Sequence, residues 1–212
     1  TPCGGKIPEY RQLGINAHHL LEACDPEIHT PVTMTNEEKK FYGSDVSFVG
    51  TVDGVVDRAE WLKTIGEKGF DLKIWGSFSS PLVSKWHTGT RPPPDGDTGH
   101  NRVVSASKIN LDYSRETQVH GAMSARVFRI LAAGGFLLMR YIEGLKDIFL
   151  PSIHLETFKD AEDCLKKIDE YLLPPIEFKR QEISYLGRQE VLEKHTWVHR
   201  AEKIVELLDR SN

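Results

Sequence analysis

The chain has 212 residues, 39% hydrophobic and 27% charged, a composition that fits one globular domain or two small ones and excludes a disordered or fibrous chain. With 27 basic against 31 acidic residues the formal net charge is −4, so no overall electrostatic footprint for nucleic acid or an anionic membrane is present. A spanning helix is excluded as well, because the longest apolar run, near Ile130 to Met139, is split by Gly134 and Gly135 well short of the ~20 residues required.

The chain opens on Thr1 with no charged leader or apolar signal segment, and it reads as a trimmed piece of a longer protein. Cys3, Cys24 and Cys164 are odd in number and at no metal-like spacing, which points to a reducing, cytoplasmic setting. Asp45-Val-Ser-Phe-Val-Gly50 is a β-rich run stopped by Gly, and Val56 to Gly69 has helical apolar spacing through Trp61, Leu62 and Ile65. Asp71-Leu-Lys-Ile-Trp-Gly76 and Lys108-Ile-Asn-Leu-Asp-Tyr113 repeat the short buried strand. Between them Arg91 to His100 holds three Pro and two Gly and is expected to be an exposed loop.

Further on, Ser124 is the expected N-cap of a helix that runs through Val127, Phe128, Ile130 and Leu131 to a Gly134-Gly135 stop. Strands are expected at Phe136 to Met139 and at Ile153 to Phe158. Asp160 caps a helix with an apolar face of Leu165, Ile168 and Leu172. Two charged amphipathic helices follow, Phe178 to His195 and Thr196 to Arg210, with Trp197, Ile204 and Leu208 as inward anchors. Strands alternating with helices define an α/β fold: a parallel sheet with helices on both faces, whose ligands bind outside the carboxyl ends of the strands.

Several chemistries lose support. There is no G-x-G-x-x-G after a strand, no Walker G-x-x-x-x-G-K-[ST] and no G-x-S-x-G elbow. Asp95-Gly-Asp97 has the D-x-D form of a metal and diphosphate site, but it follows three prolines and reads as a solvated turn. His195 and His199 sit four apart, yet Thr196 stands where a zinc-protease motif needs Glu, and neither they nor His18-His19 define a metal site. Gly50, Thr51 and Arg58 fit either a backbone cradle with a phosphate-pairing Arg or a tight turn beside a surface Arg. Gly121 to Leu138 fits either an anion site at a helix N-terminus or a capped core helix.

Six segments in register carry a resemblance. They are Asp45 to Gly50, Asp71 to Gly76, Ile109-Asn-Leu-Asp112, Ser124-x-Arg126-Val-Phe-x-Ile-Leu-Ala-x-Gly-Gly-Phe-Leu-Leu138, Thr157-Phe-Lys-Asp160 and Glu193-Lys-His-Thr-x-x-His-Arg200. Together they resemble the CgeB-like, spore-maturation-type branch of the group 1 glycosyltransferases. The resemblance implies a GT-B enzyme, in which two Rossmann-like domains face each other across a cleft. The carboxyl-terminal one binds a nucleotide-diphosphate sugar and the amino-terminal one much of the acceptor. Residues 1–44, through Leu13-Gly-Ile-Asn16 and Ala23-Cys-Asp-Pro26, would be the crossover and entry segment. Residues 45–175 would be the nucleotide-sugar-binding domain, and 176–212 helices packing on it.

By the same resemblance Gly50, Thr51 and Arg58 would face the donor diphosphate, and Ser124 and Arg126 would hold phosphate or sugar hydroxyls, with no metal and no cofactor beyond the donor. One position departs from the pattern: a Glu that binds ribose hydroxyls is common where this chain has Arg129, and a guanidinium has donors only. The expected function is therefore the donor half of a metal-independent glycosyltransferase, inactive when isolated from its amino-terminal partner domain, with an acceptor that is not specified. The alternatives are a non-catalytic nucleotide- or phosphate-binding module and a plain interaction domain.

Overall fold

The structure is a computed structural model and describes residues 1–52, 56–94, 96–114 and 119–209. The first helices are α1 (Ile7–Gln12) and α2 (Asn36–Tyr42), the latter opened by a capping box between Thr35 and Glu38. The alternating core follows as β1 (Val46–Val49), α3 (Val56–Glu67), β2 (Leu72–Trp75), β3 (His87–Gly89), α4 (Asp97–Ala106) and β4 (Ile109–Asp112). It continues with α5 (Ala125–Ala132), β5 (Leu137–Arg140), β6 (Glu156–Phe158), α6 (Ala161–Leu172), α7 (Glu177–Lys194) and α8 (Trp197–Asp209).

All strand pairs are parallel, and the order across the sheet is β3-β2-β1-β4-β5-β6. The chain builds outward from β1 through β2 to β3, then crosses back to set β4 on the other side of β1. That reversal leaves a crevice beyond the carboxyl ends of β1 and β4, the usual ligand position in such a sheet. Ser47, a polar residue in buried β1, is satisfied across the same seam by donating to Asn110 Oδ1 on β4 at 2.9 Å.

Both faces of the sheet are covered, which is why the strands read as nearly continuous apolar runs. On one face Val46, Phe48, Ile74, Ile109 and Leu138 pack with Trp61, Leu62 and Ile65 of α3 and Cys164, Ile168 and Tyr171 of α6. On the other, Leu137 and Met139 pack with Val127, Phe128 and Leu131 of α5 and Val191 of α7. Gly187 lets α7 approach closely: a Cβ there would collide with the His154 carbonyl and lie 2.9 Å from Leu131.

Three expectations need correction. The segment Arg91 to His100 is not loop throughout, because α4 begins at Asp97. Gly99, which reads as a loop residue, sits inside the helix because a Cβ would strike the carbonyls of Pro92 and Pro94; it is a packing glycine. The last strand is shorter than Ile153 to Phe158, since Ile153 and His154 turn back on Leu150. Finally, Trp197, Ile204 and Leu208 face outward at 47%, 44% and 61% exposure. Arg200 anchors α8 instead, donating to the carbonyls of Leu21, Glu22 and Lys194 and contacting His195 Nδ1 at 2.9 Å. Helical periodicity is blind to which face meets the core when a buried Arg satisfies several carbonyls at once. Asp95 and Arg210 lie outside the described residues.

Candidate functional site

A cleft of about 540 Å³ opens at the carboxyl edge of the sheet. Its walls come from the residues after β1 (Gly50, Thr51), after β2 (Gly76, Ser77) and after β3 (Thr90, Arg91), and from the starts of α4 (Asp97, His100) and α5 (Ser124, Arg126, Arg129). Five of the six residues singled out from sequence therefore meet here: Gly50, Thr51, Ser124, Arg126 and Arg129.

Arg58 does not line this cleft. It is buried, and its guanidinium donates to the carbonyls of Thr51 at 2.6 Å and Tyr113 at 2.9 Å, tying the loop after β1 to the loop after β4. It borders instead an adjacent hollow of about 260 Å³, shared with Cys3, Asp112, Tyr113, Met123 and Arg126.

Asp112, at the end of β4, organises the α5 start. Its carboxylate is 1% exposed and accepts from Arg126 Nη1 at 2.6 Å, Ser124 Oγ at 3.1 Å and Ser114 Oγ at 3.0 Å. Arg126 also lies over the Phe48 ring, 5.0 Å from its centroid, and crosses directly above Gly50, where a Cβ would overlap the guanidinium. Glycine at 50 is thus required by an arginine 76 positions later in the chain. Gly76 is held to glycine from the other side: its φ is +144° and a Cβ would strike the Gly50 carbonyl.

Ser124 occupies the N-cap position of α5 but caps nothing with its side chain, because the hydroxyl is turned to Asp112. In α2 and α6, by contrast, Thr35 and Asp160 each accept from a first-turn amide. The Val127 amide bonds the Ser124 carbonyl instead, and the residues that open α5, Ala125 and Arg126, line the cleft without a side-chain cap, where the helix dipole favours an anion.

The opposite wall comes from α4, the element that sequence reading missed. Asp97 Oδ1 accepts from Arg129 Nη1 at 3.3 Å and lies 3.2 Å from His29 Nε2, a buried nitrogen with no hydrogen-bond partner. One turn on, His100 is buried with neither ring nitrogen hydrogen-bonded. Burial, reinforced by the nearby Arg126 and Arg129 charges, pushes its pKa down to about 4, so it is neutral at pH 7. Of the three arginines that line the cleft, Arg91, Arg126 and Arg129, the second is paired with Asp112 and the third with Asp97, so three cations face two carboxylates in a chain whose net charge is −4. Such a cleft attracts anions locally.

Among the described residues no cluster of three or more His, Cys, Asp or Glu could hold a metal ion. His195 is packed against Phe128 and Phe149, and His199 Nδ1 lies 2.7 Å from the Thr196 hydroxyl. No helix is long and apolar enough to cross a membrane, again among the described residues.

A six-stranded, doubly wound parallel sheet with an arginine-lined cleft at its switch point defines a Rossmann-like α/β unit. The glycosyl transferase-like family profile matches residues 58–206, more than two thirds of the chain, and the chain belongs to that family. No curated protein sequence matches it. Among solved structures, the carboxyl-terminal domain of a group 1 glycosyl transferase, LpcC from Francisella tularensis, aligns with a TM-score of 0.59 at 13% identity over 82% of this chain and 99% of that one. Anabaena HepE, solved with UDP and glucose, aligns at 0.69 and 10% identity over 96% of this chain and 60% of HepE. Sucrose-phosphate synthase from Thermosynechococcus elongatus aligns at 0.66 and 16% identity over 97% of this chain and 56% of the enzyme. These likenesses establish the fold of a GT-B half, and the chain spans little more than half the length of the last two proteins.

Proposed function

We propose that this chain is the donor-binding half of a glycosyltransferase that uses a nucleotide-diphosphate sugar without a metal ion, of the CgeB-like branch. The observation that carries this reading is the α5 start: uncapped amides and Arg126 converge on a cleft at the sheet's switch point, as a diphosphate requires. In transfer, negative charge builds on the leaving diphosphate while the sugar becomes oxocarbenium-like. Fixed amide dipoles and Arg126 stabilise that charge where other enzymes use a divalent cation. Asp112 holds Arg126 by one of its five N–H donors, so the guanidinium is preset before the ligand arrives.

Gly50 and Thr51 serve the same diphosphate by letting the β1 loop come close. Arg58 supports that loop from below. HepE, whose fold this chain shares, was solved with UDP and with UDP-glucose, and by analogy a UDP-sugar is the first donor to test. The acceptor and its amino-terminal GT-B domain belong to the whole enzyme, and the isolated chain is expected to bind donor without turnover. Three free cysteines fit a cytoplasmic location.

A second reading, a non-catalytic nucleotide-binding module, is favoured by one observation: Arg129, at the position where the resemblance expects a ribose-binding Glu, is paired with Asp97. Calorimetry with UDP and UDP-glucose in the presence of a chelator tests the binding half of the proposal, and sugar release by the full-length protein separates enzyme from module. Binding that is lost completely on chelation would overturn metal independence.

A further inference from the structure

The cleft holds three arginines and a single acidic group, Asp97, among its described lining residues, and that group is paired with Arg129 through one oxygen. Both side chains that approach Asp97, Arg129 at Nη1 and His29 at Nε2, lie against the same oxygen, Oδ1. No donor among the described residues reaches Oδ2, and the side chain keeps 36% exposure. A carboxylate fixed by one oxygen and presenting the other to a cleft is an acceptor-only group whose orientation is preset. Its complement in a ligand is a hydrogen-bond donor, and in a nucleotide-diphosphate sugar the vicinal hydroxyls of the ribose and of the sugar are such donors.

The surrounding side chains sharpen this. His29 is 3% exposed with its Nδ1 on backbone partners at Asp25, and its Nε2, which has no hydrogen-bond partner, lies beside Asp97 without facing solvent. His100, neutral and lacking hydrogen-bond partners, adds no charge that would draw Asp97 inward. The anion-favouring wall at the α5 start and this acceptor wall at the α4 start face one cleft, so a ligand that fits both is anionic at one end and rich in hydroxyls at the other.

We propose that Asp97 is the specificity-determining residue of the cleft, reading a vicinal diol of the ligand through Oδ2 while Arg129 holds Oδ1. This rests on the diphosphate reading of the α5 start and assigns the other end of the same ligand. Arg129 is then a positioning residue that acts through Asp97. The diol could be the ribose of the nucleotide or that of the transferred sugar, and the test distinguishes them.

Dissociation constants are measured by calorimetry for pyrophosphate, UDP, 2′,3′-dideoxyuridine diphosphate and UDP-glucose, on the 212-residue chain and on Asp97→Ala and Asp97→Asn. Thermal melts confirm that both variants are folded. The parent should prefer the diol-bearing ligand over its counterpart by about ten- to a hundredfold, the worth of hydroxyl bonds to a charged acceptor. In both variants that preference should fall to within about twofold, while pyrophosphate binds as well as before or better, because an anion has left the cleft. Loss of the preference for UDP over the dideoxy analogue assigns Asp97 to ribose. Loss of the preference for UDP-glucose over UDP assigns it to the sugar. If both preferences survive the substitutions, or the parent shows neither while still binding pyrophosphate, Asp97 is not the diol reader. If the parent binds none of the four, the diphosphate reading itself falls.

Discussion

Arg126 Nη1 lies 2.6 Å from Asp112 Oδ1, joining the end of β4 to the start of α5 by an ion pair whose acidic member is 1% exposed. The pair does two things at once: it neutralises a carboxylate that the sheet has buried, and it fixes a guanidinium at the lip of the cleft. Removing Arg126 leaves the charge uncompensated apart from two serine hydroxyls. Arg126→Ala should therefore destabilise the fold by about 3 kcal/mol. Arg126→Lys, which keeps the charge but not the planar fork, should lose less. Urea unfolding monitored by tryptophan fluorescence measures both; equal stability of Arg126→Ala and the parent would show that Asp112 does not need its partner.

Gly50→Ala puts a methyl group where the Arg126 guanidinium lies. Overpacking of this kind costs about 1–3 kcal/mol, and displacement of Arg126 should also weaken pyrophosphate binding. An alanine variant with unchanged affinity and melting temperature would mean that Arg126 has room elsewhere.

Acid should weaken the fold in a defined window. His100 and His195 are both buried, the first with Arg126 and Arg129 near it and the second with Arg200, and both are held neutral with pKa values lowered from 6.5 to about 4. Between those values the unfolded chain binds protons that the folded chain refuses, so stability rises with pH across the window and is fully present above 6.5. Each histidine contributes a slope of up to about 1.4 kcal/mol per pH unit. Denaturation midpoints should fall from pH 7 to pH 4.5, and His100→Phe should flatten that fall. A profile unaffected by the substitution would contradict the buried, neutral His100.

Much of this architecture is legible in the sequence, and the parts that are not share a cause. The strands β1, β2, β4 and β5 announce themselves as short, largely apolar runs, β1 and β2 stopped by Gly and β5 preceded by it, because both faces of the sheet are covered. The start of α5 is equally plain from Ser124 and the apolar spacing after it, although the Ser124 hydroxyl turns to Asp112 instead of capping the helix. What stays hidden depends on long-range contacts. Gly99 looks like a loop residue until the Pro92 and Pro94 carbonyls are seen against it, and with it α4, Asp97 and His100 disappear from the sequence view of the site. Arg58 looks like a phosphate ligand because its alternative partners, the Thr51 and Tyr113 carbonyls, carry no side-chain signature. Asp112 stands within a quoted strand segment, yet nothing local marks it as the partner of Arg126.

At the other end of the chain, Arg200 holds residues 21–22 and the α7 end through its guanidinium. Arg200→Ala should cost about 2 kcal/mol, the worth of losing hydrogen bonds to a charged donor. It should also raise hydrogen exchange at the Cys24 and Trp197 amides, which pair with His195 and Cys24 carbonyls beside it. Unchanged protection there would remove Arg200 from the anchor.

The central claim is that the cleft at the β1–β4 switch point takes a nucleoside diphosphate at the α5 start without metal. Titration of the isotopically labelled chain with UDP in chelator, followed by amide chemical shifts, tests it most directly. The account predicts that the largest changes fall at Gly50, Thr51, Gly76, Ser77, Asp97, Ala125 and Arg126. It is contradicted if those amides stay still, or if the changes gather instead at the opposite edge of the sheet, around Gly135, Ser184 and Arg188, where a second hollow lies.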